Sequence, residues 1–213
     1  MCLLTARLRP GDVAVDIGAH HGTYTKRFAT AVGPTGRVIA CEPDAKSRER
    51  WTQNFAGLTQ VELEPYAVCD VVGTQRLYQG GPSETHSLWA DNVPKRDRDD
   101  LVETTTLDVL LDGVRPRVIK IDAQGAEAHI LRGARETLEI PDLHIMLEIW
   151  PEGLRQAGAS VQVVADLLAD AGYSIVADGK DPKPTTRTWD EFVVAVEKYQ
   201  GHSHTNVIVA KAA

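Results

Sequence analysis

Two acidic residues, Asp16 and Glu42, each follow or end a short apolar run that is typical of a buried strand. Glycines at positions 18 and 22 come just after the first acid. Glycines in such a turn let a ligand approach the backbone, and a carboxylate at the end of the next strand can accept hydrogen bonds from both ribose hydroxyls. The two acids together therefore predict a site for a cofactor that contains a nucleoside, although either acid alone would suit an ordinary strand end.

The glycine spacing separates two classes of nucleoside cofactor. A dinucleotide site uses the pattern G-x-G-x-x-G, whereas this chain has G-x-x-x-G with Asp16 in front of it. A pyrophosphate binds to bare amides at a helix N-terminus and is repelled by a nearby carboxylate. S-adenosylmethionine (SAM) instead carries an ammonium and a sulfonium, which an acid attracts. We therefore expect SAM, with an NAD-linked oxidoreductase as the alternative.

Two further acids, Asp122 and Glu148, lie at the ends of predicted central strands. The carboxyl ends of parallel strands face the ligand crevice, so the two carboxylates could converge on one substrate hydroxyl. One of them could remove the hydroxyl proton, or both could help to bind a divalent cation. Two acids specify a metal weakly, so we predict none. Asp122 could alternatively bond the amides near Gly125 at a helix start, or orient the cofactor.

Other polar and aromatic residues leave two interpretations each. Lys120 lies in an apolar strand and needs a partner if it is buried, either Glu127 or an acid of the site; otherwise it reaches solvent. His86 is a substrate-side base or an exposed loop residue. Residues 202 and 204 are histidines that resemble a metal pair, but a hairpin tip before the last strand suits them better. The tryptophans at 150 and 189 line an acceptor pocket or, more simply, belong to the core.

Strands and helices that could position these residues alternate along the whole chain. The predicted strands are 13–17, 37–41, 61–66, 118–122, 144–149, 173–177 and 206–210. The predicted helices are 23–32, 46–55, 125–138, 161–171 and 189–198. Ser160 is a candidate N-cap and Gly172 a candidate terminator of the fourth helix. The alternation predicts an α/β fold, a single domain over 1–213 built on a doubly wound, Rossmann-like, mostly parallel sheet.

Two segments interrupt the alternation, 79–100 and 178–187. The first is rich in glycine, serine, proline and charge, and the second contains two prolines. Each is a candidate lid or substrate loop, and a plain surface loop is the alternative, above all for the charged run 95–100.

Composition and charge exclude several classes of function. The chain has 213 residues, 43% hydrophobic and 25% charged, and a net charge of −7, which argues against nucleic-acid binding. Its three cysteines lack metal-ligand or redox spacing. No run of residues suggests a signal peptide or a membrane span, so we expect a cytoplasmic protein that does not bind membranes.

Several ordered blocks of the sequence resemble the FkbM-type SAM-dependent methyltransferases. The most specific block is IKIDAQGAE at 119–127, followed by ILRGA at 130–134. His20 stands where that family usually has an asparagine, and Gln124 where it usually has an acid. The other blocks are GDVAVDIGAHHG at 11–22, GPTGRVIACEPD at 33–44, AVCD at 67–70 and TTTLD at 104–108.

The resemblance implies a class I methyltransferase sheet of seven strands with the last one antiparallel. It also implies methyl transfer to a hydroxyl of a sugar or a hydroxylated natural product, as in secondary metabolism, with a SAM-fold binding module without turnover as the alternative. Because little chain precedes the first strand, we expect an acceptor pocket that is open or completed by a second subunit in a homodimer. Asp122 and Glu148 are the predicted catalytic residues. The predicted cofactor-binding residues are Asp16, Gly18, Ala19, His20, Gly22, Tyr24, Glu42, Pro43, Ala67, Ser87 and Asp122.

Overall fold

Strands and helices alternate in the computed structural model, which describes residues 3–81, 86–93 and 95–211, apart from the side chains at 52 and 53. The strands are β1 (Val13–Ile17), β2 (Arg37–Cys41), β3 (Val61–Glu64), β4 (Ala67–Val68), β5 (Gly73–Gln79), β6 (Arg98–Thr105), β7 (Val118–Ile121), β8 (His144–Ile149), β9 (Tyr173–Gly179), β10 (Lys183–Pro184) and β11 (Thr205–Lys211). The helices are α1 (Thr23–Val32), α2 (Ala45–Phe55), α3 (Leu107–Leu111), α4 (Glu127–Arg132), α5 (Pro151–Gln156), α6 (Val161–Asp170) and α7 (Trp189–Val196).

The main sheet has the order β10-β9-β11-β8-β7-β1-β2-β3. Strands β3, β2, β1, β7 and β8 are parallel, and β11 is antiparallel to both β8 and β9. The predicted doubly wound sheet with a reversed last strand is therefore confirmed, with an eighth strand added. That strand, β10, lies inside the segment 178–187 that was predicted to be a loop. Pro184 is compatible with it because an edge strand tolerates a missing N–H.

A second sheet has the order β4-β6-β5, and the other predicted loop, 79–100, overlaps its strands β5 and β6. β5 and β6 pair antiparallel, so the prediction of an irregular segment over 79–100 is wrong at both of its ends. The charged run takes part in this pairing: Asp99 of β6 forms an ion pair with Arg76 of β5 at 2.5 Å. Between the strands lie a bridge from Tyr78 to Ser87 and a 3-10 turn at Ala90–Asn92. Residues 82–85 and 94 of this segment lie outside the described residues.

The core covers both faces of the main sheet, as expected for parallel strands between helices. On one face Val15, Ile119 and Leu147 belong to the larger apolar cluster. On the other face Val118 and Met146 pack with Phe28 of α1. Each such fully buried side chain contributes about 1.5–3 kcal/mol. No helix of the described ranges is long and apolar enough to cross a membrane.

Most helices begin and end close to their predicted limits. Ser160 caps α6 by accepting from Val163 N, and Gly172 follows its end at φ 82°, as predicted. The predicted helix 125–138 is wrong, because α4 ends at Arg132. Gly133 there packs so tightly that a Cβ would lie 2.5 Å from Cys69 O, and the chain continues as a 3-10 turn at Thr137–Glu139.

Candidate active site

A cavity of ≈ 390 Å³ opens at the carboxyl ends of β1, β2, β7 and β8. This edge is where parallel α/β sheets bind ligands. Its described wall includes the apolar residues Tyr66, Ala67, Val68, Leu77 and Leu88 toward the second sheet. The polar part of the wall runs from Glu42 at one side to Glu148 and two histidines at the other. The remaining wall residues are Ile17, Gly18, His20, Cys41, Pro43, His86, Ser87, Asp122, Ala123, Gln124, Ala126, Trp150, His202 and His204.

The glycine turn after β1 is fixed by backbone contacts. Gly18 has φ 72°, and a Cβ on it would lie 1.9 Å from Asp122 O, so only glycine fits. Gly18 N and Ala19 N both donate to Cys41 O, at 3.1 and 3.0 Å. Gly22, which precedes α1, would place a Cβ 2.3 Å from the Phe55 ring. The turn is therefore held between β2, β7 and α2.

Glu42 lies beside this turn and is nearly buried, at 7% exposure. Its Oε2 accepts from His20 N at 2.8 Å and its Oε1 accepts from Asp44 N at 2.9 Å. Burial raises the pKa of Glu42 to about 7, against the lowering by these two bonds. Each oxygen keeps a lone pair, so a backbone-fixed carboxylate faces the cavity.

Asp16 lies behind the cavity wall and is fully buried. Its Oδ2 accepts from Thr25 Oγ1 at 2.6 Å, and its Oδ1 lies 3.5 Å from Lys120 Nζ. Lys120 Nζ also donates to Gly18 O at 2.8 Å, and Tyr24 lies with its ring centroid 5.6 Å from the same nitrogen. Of the predicted cofactor residues, Ala19 and Gly22 thus belong to the turn itself, and Asp16 and Tyr24 lie behind it; none of the four lines the cavity.

Lys120 takes the first of its two predicted interpretations: it is buried, and its partners are acids of the site rather than Glu127. It pairs with Asp16 and with Asp122, whose Oδ2 lies 3.3 Å away. Burial alone lowers the pKa of Lys120, but Asp122 and Asp16 outweigh it, so its pKa lies above the ordinary value. Glu127 instead accepts from Ala123 N and Gly125 N, at 3.1 and 3.3 Å. The helix-start role considered for Asp122 therefore belongs to Glu127.

The segment that follows β5 covers the apolar side of the cavity. Ser87 is 2% exposed, and its Oγ donates to Gln124 O at 2.9 Å. Asn92 Nδ2 donates to the same carbonyl at 2.9 Å and to Gly153 O at 3.3 Å. Gln124 adopts φ 50°, which turns this carbonyl toward both donors. The predicted lid is thus anchored to the loop after β7, and Ser87 lies in the wall with its hydroxyl turned away from the open space.

The opposite side of the cavity brings together Asp122, Gln124, Glu148 and His204. Gln124 Nε2 donates to Asp122 Oδ1 at 3.2 Å, and the same side chain bonds Glu148. His204 Nε2 lies 3.7 Å from Glu148 Oε2. Burial, and then the charge of Asp122, raise the pKa of Glu148 to about 6. Two predicted catalytic acids therefore share one pocket, with different environments.

Of the two tryptophans and two histidines considered for the site, all but Trp189 line the cavity. Trp150 lines the cavity, donates to Gly201 O at 2.5 Å and stacks on His202, whereas Trp189 packs on Phe192 in the core. The histidines 202 and 204 precede β11 as predicted, but they also reach the cavity wall, which no local pattern indicated. Within the described ranges, no group of three His, Cys, Asp or Glu side chains could hold a metal ion.

Comparisons with known proteins also indicate a methyltransferase. The family model described as "Methyltransferase FkbM domain" matches residues 16–175, and no curated protein matches the chain. An FkbM methyltransferase from Methylobacillus flagellatus KT aligns at TM-score 0.58 with 15% identity, over 94% of this chain and 44% of that one. A putative rRNA-methylase from Clostridium thermocellum gives TM-score 0.55 and 11% identity, over 99% and 92%. A SAM-dependent O-methyltransferase from Thermotoga maritima gives 0.52 and 14%, over 97% and 61%. At these identities the structures show the shared fold alone.

Proposed function

The chain belongs to the FkbM methyltransferase family, and from that premise we propose that it transfers the methyl group of SAM to a hydroxyl of a small molecule. One observation supports this most: a single cavity holds a backbone-fixed carboxylate, Glu42, at one side and a carboxylate pair, Asp122 and Glu148, at the other. The first suits a ribose and the second suits a hydroxyl that must lose its proton.

The residues at the Glu42 side fit SAM. Both oxygens of Glu42 can accept from ribose hydroxyls, and the apolar residues Val68, Leu77 and Leu88 suit the adenine ring. Gly18 leaves its backbone bare at the centre of the cavity edge. Asp122, with its side chain 31% exposed, can face a cationic group. Two structural neighbours support this choice: the Thermotoga maritima protein is a SAM-dependent O-methyltransferase, and a putative methyltransferase from Streptococcus mutans is a complex with S-adenosylhomocysteine (SAH).

The two acids at the other side receive different roles from their environments. Lys120 at 3.3 Å and the Gln124 amide at 3.2 Å neutralise and orient Asp122. Glu148 has a pKa of about 6, near the pH at which an enzyme needs a base. SAM supplies an electrophilic methyl group on a sulfonium. We assign Glu148 to accept the hydroxyl proton while the oxygen–carbon bond forms and the carbon–sulfur bond breaks, and Asp122 to position the reactants.

The character of the wall favours a neutral acceptor. Among its described residues there is no lysine or arginine side chain to bind a phosphate or carboxylate of the acceptor. The net charge of −7 also opposes an RNA acceptor, although one structural neighbour is a putative rRNA-methylase. A sugar or another hydroxylated small molecule suits the site best.

Two measurements test the proposal. Calorimetry with SAM and with NAD should show binding of SAM only; NAD binding, or no SAM binding at millimolar ligand, would overturn it. Transfer of label from methyl-labelled SAM into a panel of sugars and phenols should be detectable, and should be lost in Glu148→Gln. Binding of SAM without transfer to any acceptor would instead favour a non-catalytic binding module.

A further inference from the structure

The hairpin tip before β11 places a histidine opposite the proposed base. β11 pairs with β8 so that Asn206 lies across from Glu148 and Thr205 across from Ile149. This register brings His204, the residue before the strand, to the same edge as Glu148. Its Nε2 lies 3.7 Å from Glu148 Oε2, and both residues line the cavity.

The hydrogen bond of Nδ1, the other ring nitrogen of His204, determines which of the two nitrogens can accept a proton. Nδ1 lies 3.1 Å from the carbonyl oxygen of His202. A carbonyl can only accept a hydrogen bond, so Nδ1 carries the hydrogen. In the neutral ring the lone pair is therefore on Nε2, which is the nitrogen that faces Glu148. The ring is oriented to receive a proton from that carboxyl group.

His204 is the more exposed residue of this pair, so a proton can leave the pair to solvent through it. The side chain of His204 is 41% exposed, and that of Glu148 is 20% exposed. The other groups that act on Glu148 are Asp122, Lys120 and the amide of Gln124, all on β7 or the loop after it. Lys120 is buried, at 5% side-chain exposure, and forms an ion pair with Asp122 on the cavity side, so it does not lead a proton to solvent.

We propose that His204 is a proton relay that acts through Glu148, a role that rests on the methyl transfer proposed above. The hydroxyl proton moves to Glu148 as the new oxygen–carbon bond forms, and the electron pair of the broken carbon–sulfur bond stays on sulfur. The proton then moves from Glu148 to Nε2 of His204, and the imidazolium keeps its Nδ1–H on His202 O. That transfer restores Glu148 as a carboxylate, and loss of the Nε2 proton to water restores the neutral imidazole, with one proton released per methyl group transferred. The 3.7 Å separation needs a small approach of the two side chains or one bridging water.

The pairing is tested by the ¹³C signal of the Glu148 carboxyl group during a pH titration, with Glu148→Gln used for assignment. In His204→Asn the pKa of Glu148 should rise above about 6, because the positive charge of the protonated imidazole, which lowers this pKa, is lost. In His202→Asn the pKa of Glu148 should not change, since the backbone carbonyl of residue 202, which orients His204, remains. An unchanged pKa in His204→Asn, or an equal rise in His202→Asn, would overturn the pairing.

The relay is tested by chemical rescue in the labelled-SAM assay. His204→Ala should reduce kcat by about 10-fold or more, and added imidazole should restore part of it because the site is open to solvent. His144→Asn is the matched control, since His144 also bonds a carbonyl two residues before it, Asp142 O at 3.1 Å, but at the opposite edge of the sheet. It should keep full activity and gain nothing from imidazole.

The outcomes separate the two proposals. An unrescued His204→Ala that still binds SAH, beside an active wild type, would overturn the relay alone. A wild type that transfers label to no acceptor would overturn the proposed function, and the relay with it.

Discussion

The two sides of the cavity hold acids of the same type in different ways. Glu42 and Glu148 follow or end parallel strands, and burial raises the pKa of both, to about 7 and about 6. Each oxygen of Glu42 accepts a backbone N–H, at 2.8 and 2.9 Å. The groups around Glu148 are instead side chains: Gln124, Asp122, Lys120 and His204.

This difference suggests a division of work. A carboxylate bonded to backbone amides is preorganised and cannot turn, which suits the constant part of a cofactor. A carboxylate among side chains can move a few tenths of an ångström and exchange a proton with its neighbours. We therefore expect the Glu42 side to decide cofactor binding and the Glu148 side to decide methyl transfer.

The largest effect is expected where the two sides meet, at Gly18. Gly18→Ala places a Cβ 1.9 Å from Asp122 O at a positive φ, so the turn or β7 must shift. We expect a loss of about 3 kcal/mol or more of the free energy of unfolding, together with loss of SAM binding. Gly73→Ala is the control, because its Cβ would meet no atom within 4 Å. Urea unfolding measures both, and similar stability of the two variants would show that the turn is not rigid.

A second, smaller effect isolates the transfer side. Glu148→Gln keeps the size and hydrogen-bonding of the side chain but removes the base, so kcat should fall about 100-fold or more with the KM for SAM nearly unchanged. Steady-state rates of transfer from labelled SAM, measured over a range of SAM concentrations, give both numbers. A variant that raised KM and left kcat intact would place Glu148 in binding and remove the contrast.

The pH dependence sharpens the same contrast. Glu148 must be ionised to accept a proton, so kcat should be low below about pH 6 and rise to a plateau above it. The expected change is about 10-fold for each unit of pH below the pKa. A pH–rate profile at saturating SAM measures this, and a flat profile from about pH 5 to about pH 8 would contradict the assignment.

A last effect, outside the contrast between the two sides, concerns Glu127, a buried acid that lies on neither side. It is 1% exposed, and burial raises its pKa to about 7. The folded protein thus binds this proton more tightly than the unfolded chain does, so the free energy of unfolding falls as pH rises from about 4.5 to about 7. Glu127→Gln should lose this dependence, worth on the order of 3 kcal/mol, in urea unfolding at about pH 5 and about pH 8. Equal pH slopes for variant and wild type would show that burial of Glu127 carries no such cost.

The same division explains how much could be predicted from the sequence. Gly18 and Glu42 were predicted as site residues from a short motif, and the structure places both in the cavity wall because neighbouring parallel strands end together. The seven strands of the main sheet other than β10 were predicted for a similar reason, since each one carries its own pattern. β5 and β6, which are seven and eight residues long, were not predicted as strands. β10 and the short helices α3 and α5 were missed because so few residues show no period.

The Glu148 side of the cavity was harder to predict, because it depends on contacts between distant parts of the chain. His204 reaches Glu148 only through the register of β11 on β8, which no local pattern reports. Asp16 was predicted as a cofactor-binding residue from the same motif, and its position behind the turn depends on a hydrogen bond from Thr25 of α1, which the motif does not report.

The most direct test of the account is calorimetric binding of SAH to the wild type, Glu42→Gln and Glu148→Gln. The amide group that Glu42→Gln introduces would set a donor against the N–H of His20 or Asp44, so this variant should bind about 10-fold or more weakly. Glu148→Gln should bind like the wild type. Equal affinity of all three proteins, or no binding by the wild type at millimolar SAH, would contradict the claim that Glu42 holds the nucleoside of SAM.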